Sequence, residues 1–215
     1  MNKVLDSEIF NILLVLTVIG EFFIPWVLKH FYEGYDSKKM VMSVLGSPKS
    51  PVRYFYNAWL IWLGGFLLFT AIAFLNNMSK VSGLLAILMF ISIAAFAIGA
   101  GLLAGIFSVN ESKDVVTFAS KIHGAGAAIG FMTLLFFPLL SAIVAFKEKN
   151  TMMGNVCVIA FVLAIIFFVF FIMGDKEKFK NTVFSYEGLW QRLTLLAMYT
   201  PFVYRGIVKL VIMKG

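Results

Sequence analysis

Apolar positions run through the chain in long blocks, and polar positions collect in short strips between them. Six blocks stand out, at roughly 9–28, 54–75, 83–107, 122–146, 153–173 and 188–213. A helix of about 20 such residues is long enough to cross the hydrocarbon core of a bilayer. None of the blocks alternates apolar and polar residues as the strands of a transmembrane barrel do. The pattern predicts an all-α polytopic membrane protein, a six-transmembrane-helix bundle in a single domain.

The strips between the blocks are uneven. The first, 29–53, holds His30, Lys38, Lys39, Lys49 and Arg53 against Glu33 and Asp36, with Gly34, Gly46, Pro48 and Pro51 as turn residues. The second, Asn76 to Lys80, and the fourth, Lys147 to Asn150, are tight. The third carries Glu111, Lys113, Asp114 and Lys121, and the fifth begins DKEKFK. Six spans place both termini on one side and loops one, three and five on the other. Most of the 18 Lys and Arg residues fall with the odd loops, which argues for those loops inside the cell. The unopposed cluster Arg205, Lys209 and Lys214 sits with the termini and argues the reverse.

Composition supports the membrane reading. The chain is 61% hydrophobic and 13% charged, with a mean hydropathy of +0.93. A soluble domain is about half apolar and about a quarter charged, so a water-facing surface could not be covered here. The net charge of +7 lies between spans, where Lys and Arg set topology and meet lipid headgroups, so it does not point to nucleic acid. The single cysteine, Cys157, excludes an intrachain disulfide and reads as a packing residue. Asp6, Glu8 and Glu21, with no small-x-small cleavage site after them, predict that the first block stays as a span.

Ionisable side chains inside spans are costly, and each is a candidate for function. Glu21 lies in the first block, Asn57 near the start of the second, His123 at the start of the fourth, and Gln191 and Arg192 near the start of the sixth. The topology brings all of them towards the odd-loop end. Glu21, Asn57, His123 and Arg192 are therefore the expected ligand-binding set, with Glu21 and Arg192 forming an ion pair. Each also has an ordinary role available: pairing for Glu21, interhelical hydrogen bonding for Asn57, the membrane interface for His123, headgroup contact for Arg192. Pro25 cannot donate to the Glu21 carbonyl four residues back and is expected to kink the first helix. The pairs Gly101/Gly105 and Gly126/Gly130 have small-x-x-x-small spacing and predict close contact between the third and fourth spans. Two histidines and one cysteine make no metal-ligand pattern, and neither a phosphate loop nor a hydrolase elbow occurs. No metal, no cofactor and no catalytic residue is assigned.

Gly34-Tyr35, then Met42-Ser43-Val44-Leu45-Gly46, Pro48 and Asn57, resemble the opening of the bacterial DUF998 family of six-span membrane proteins. Gly105-Ile106-Phe107 followed by His123 resembles its middle motif, and Gly188-Leu189 with Gln191-Arg192 its last. That family is in turn distantly similar to the eukaryotic DRAM-type membrane proteins. The family often continues the middle motif with Pro and an Asp, where this chain has Ser108 and Asn110, so Glu111 or Asp114 would have to supply that charge. The resemblance implies a six-helix bundle in the cell membrane, with cytoplasmic termini and the motif-bearing face outside. It implies no reaction.

Three function classes follow. The first is a membrane protein that binds membrane lipid or a small amphiphile, with Arg192 on an anionic headgroup and His123 and Asn57 hydrogen-bonding to it. The second is a lipid-modifying enzyme, with His123 as acid/base oriented by Glu21 or Asp114. The third is a small-solute transporter, which the lack of an inverted repeat disfavours.

Overall fold

The computed structural model describes residues 4–110 and 115–213. Helix α1, Glu8–Leu28, starts at Ser7, whose hydroxyl accepts from the Phe10 amide at 3.5 Å. Helix α2 is Arg53–Met78. Helix α3, Gly83–Phe96, is capped by Ser82, runs into a π segment, Ala97–Leu103, and ends in one further turn, Ala104–Ile106. Helices α6, Thr151–Gly174, and α7, Glu187–Ile212, are continuous. Six stretches are long and apolar enough to cross a membrane, as the blocks predicted, and no strand occurs among the described residues.

The fourth span is not one helix. Helix α4, Phe118–Leu134, opens on a reciprocal cap between Thr117 and Ser120. Leu135 and Phe136 then leave the helix, and α5, Phe137–Lys147, begins with Pro138 in its first turn. Proline has no amide hydrogen to give to the preceding turn, so a helix restarts there at little cost.

The spans are arranged as a ring. α1 packs on α7 and α2, α2 on α3, α3 on α4 and α5, α5 on α6, and α6 on α7. The ring is closed at the even-loop end by α5 against α6. Its centre there is aromatic: Phe137 stacks on Phe202 at 4.3 Å between centroids, and both meet Phe74 edge-on. At the odd-loop end α4 follows α3 and leaves α6, and the two helices meet through Phe131 and Phe171, 6.0 Å apart.

The glycines distribute differently from expectation. Gly126 and Gly130 do face the third span, against Gly99 and against Phe96 with Ala100. Gly101 and Gly105 face α2 instead. A Cβ on Gly101 would lie 2.5 Å from the Gly64 Cα, and one on Gly105 would lie 2.9 Å from the Asn57 carbonyl. Residues two apart on a helix project to nearly opposite sides, so Gly99 and Gly101 serve different neighbours. The third span is thereby held backbone-to-backbone on both flanks.

Candidate functional site

The first loop folds over the odd-loop end and is fastened to the head of α7. Gly188 leaves room for the Ser37 and Met40 carbonyls to lie against the helix. The Leu189 amide donates to the Lys38 carbonyl at 2.9 Å, and the Met42 amide donates to Gln191 Oε1 at 2.7 Å. Arg192 completes the fastening. Its Nη1 donates to the carbonyls of Ser37 (2.8 Å), Met40 (3.3 Å) and Gly188 (2.7 Å), and its Nη2 donates to the Tyr35 hydroxyl (2.8 Å). The Tyr35 hydroxyl in turn faces the Met40 and Val41 carbonyls. Burial pushes the Tyr35 phenol above its ordinary range, against the pull of the Arg192 guanidinium. Tyr35 is therefore a neutral relay between the guanidinium and the loop backbone.

Asn57 serves the same end of the molecule. Its Nδ2 donates to Ser108 Oγ at 3.3 Å, tying α2 to the segment after the third span. Gly46 of the first loop packs directly on its amide oxygen, which has no hydrogen-bond partner. Glu111 and Asp114, the acids that the middle motif would call on, lie outside the described residues.

Glu21 is 3% exposed. The expected pair with Arg192 does not form: Arg192 is engaged by backbone carbonyls and Tyr35, and Glu21 Oε2 accepts from the Trp59 indole N–H at 2.8 Å. Gly20 makes this possible, because a Cβ there would press into the Trp59 ring, 2.5 Å from its outer edge. His123 is 6% exposed and its Nδ1 lies 2.8 Å from the Phe107 carbonyl. A carbonyl only accepts, so Nδ1 carries the hydrogen, and in the neutral ring Nε2 is then the acceptor. The end of the third span thus orients His123 through Nδ1; of the two acids expected to do so, Glu21 bonds to Trp59 instead and Asp114 lies outside the described residues.

Beneath the first loop, all six spans surround a cavity of about 360 Å³. Among the described residues its polar lining is Glu21, Tyr56, His123, Gln191 and Ser43, with no Lys or Arg. The rest is apolar, with Phe96, Phe131, Phe168 and Phe171 and small residues of the third and fourth spans among it. The cavity reaches the outside of the bundle between α4 and α6. Gly124 and Ala128 are exposed there, as are Met132 at 49% and Ile172 at 46%. In a membrane that opening faces lipid.

Of the four residues expected in the site, the structure brings Glu21 and His123 into the cavity. Asn57 and Arg192 stand at the same end but outside its lining. Trp59 and Tyr56 were not singled out in the sequence, and Tyr35 only as part of the opening motif; an indole two residues after Asn57 is invisible as a partner for Glu21 until the helices are docked. His30 sits exposed on the turn after α1, its ring against Trp26. Among the described residues no three His, Cys, Asp or Glu side chains converge as a metal site.

The family described as "Protein of unknown function (DUF998)" matches residues 16–206. No curated protein and no solved structure matches the chain. The matched stretch takes in every cavity residue, the loop that covers them and the Gln191-Arg192 fastening. The chain belongs to the DUF998 family.

Proposed function

We propose that this protein holds an amphiphile taken from its own membrane, in the half of the bilayer nearer loops one, three and five. The observation that carries the reading is the cavity. At about 360 Å³ it falls at the small end of ligand-sized pockets, which suits one chain or a small amphiphile better than a whole two-chain lipid. Its apolar walls suit a chain, and its polar groups gather at the loop end, where a head would lie. Its opening between α4 and α6 admits a guest sideways, without crossing water. Glu21 and His123 touch the guest; Asn57 and Arg192 are positioning residues that hold the first loop over it. The aromatic packing around Phe137 and Phe202 below the cavity favours holding a ligand over passing one through.

We place the protein in the cell membrane with cytoplasmic termini and the covered cavity outside. The charge of Arg192, engaged within the protein, then ceases to weigh for the odd loops. Cysteine labelling of whole cells at Ser37 and Asn150, in a Cys157→Ser background, tests the orientation: Ser37 labels from outside and Asn150 does not.

Native mass spectrometry of the detergent-purified protein tests the binding. The wild type retains a lipid-sized adduct, and Ala128→Trp, which fills the opening, loses it. Equal adducts on both proteins, or none on the wild type, overturn the reading.

A further inference from the structure

Resting on that reading, we infer that the head of the amphiphile is an amine, held as an ammonium by the Glu21 carboxylate. Glu21 is buried in α1 with its carboxyl lining the cavity, and Trp59 supplies one hydrogen bond to Oε2. A carboxylate has about four acceptor positions, so most of its capacity is unfilled by that indole. No described Lys, Arg or His stands within 4.0 Å of it; the nearest candidate by sequence, Arg192, is fixed on the first loop. A buried carboxylate without a paired cation is costly in a membrane; Arg192 acts on Glu21 only from a distance, its donors taken by backbone carbonyls and Tyr35, so among the described residues the protein supplies no directly paired cation. A cationic head supplies it.

The rest of the lining agrees. His123 Nε2 is an acceptor while Nδ1 is held by Phe107, so it takes a second ammonium hydrogen. Tyr56, Phe96, Phe131 and Phe171 present aromatic rings to the same space, and such faces attract ammonium groups. Among the described residues no Lys or Arg lines the cavity to repel a cation or to retain a phosphate or carboxylate. An anionic head would instead set a second negative charge beside an unpaired one. The anionic headgroup expected from the sequence depended on Arg192 reaching the ligand, and Arg192 is not in the lining.

Length-matched single-chain probes test this on the full-length protein in detergent: dodecylamine, dodecanol and dodecanoate, with affinities from ligand-dependent thermal shifts. Dodecylamine is expected to bind at least about tenfold tighter than dodecanol, with dodecanoate weakest. Glu21→Gln removes the advantage of the amine, so that the ratio of amine to dodecanol affinity falls to about one. Ala128→Trp weakens all the probes that bind. Equal binding of amine and alcohol to the wild type, lost in Ala128→Trp, overturns the amine and leaves the cavity reading standing. Binding insensitive to Ala128→Trp overturns both. Where Glu21→Gln does not fold, the wild-type ratio of amine to alcohol decides by itself.

Discussion

Around Phe74, Phe137 and Phe202 the spans meet ring against ring, whereas around Glu21, Tyr56 and His123 they stand apart. The same six spans reach both ends, so the number of spans does not explain the difference. The break at Leu135 and Phe136 does. It lets α5 return to α6 while α4 stays on α3, and the ring closes at one end only. The closed end is held by apolar contact. The open end is held by a bare backbone approach between α3 and α4 and by hydrogen bonds that fasten the first loop. Sites need space and exposed polar groups, and packing needs neither; dividing the fourth span gives each requirement its own half of the membrane.

Phe202→Ala removes a fully buried ring from the closed end, and about 3–5 kcal/mol of stability is expected to go with it. Unfolding in detergent measures this, and a smaller loss than any cavity-side change would break the contrast. Next is Arg192→Ala, which removes three carbonyl contacts and the Tyr35 contact, at a cost of roughly 2–3 kcal/mol. Hydrogen exchange should rise in residues 35–43 and stay unchanged around Phe137. Arg192→Lys keeps the charge but not the fork and recovers part of the loss. One substitution made at both ends sharpens the comparison. Ala142→Leu, at a position 1% exposed in α5, should cost about 1–3 kcal/mol by overpacking, whereas Ala128→Leu, at the cavity mouth, should cost less than about 1 kcal/mol.

The smallest effect belongs to the tie between Lys209 and Asp6, 2.5 Å apart and half exposed. The hydrogen bond from Lys209 holds the Asp6 carboxyl below the ordinary aspartate range. A lowered value means that the stabilisation is present above the ordinary range and is lost as the pH falls through the lowered one. Asp6→Asn should therefore cost no more than about 0.5 kcal/mol near neutrality, and nothing in strong acid, as a pH series of melting curves would show.

The spans were legible because a bilayer imposes length and apolarity on each of them, and both are written residue by residue. The convergence of Glu21 and His123 was legible as well, since depth along a span follows from counting. Rotation about a helix axis does not follow from counting, and the docking that turns Trp59 towards Glu21 is what the sequence leaves open. The hydrogen-bond partners of Arg192 were not legible for a related reason. Its acceptors are main-chain carbonyls, which every residue carries, so no side chain nearby marks them as its partners. The break in the fourth span did have a signal: Pro138, directly after two phenylalanines in the middle of the apolar block.

The fastening of the first loop joins residues 149 and 155 positions apart, Met42 to Gln191 and Ser37 to Arg192. At about 5–20 residues added per second, the loop waits on the order of ten seconds for the segment that secures it. Four spans are completed in that interval. The cavity is consequently closed only once the last span has arrived. A guest that is already in place when α7 arrives has no portal to negotiate.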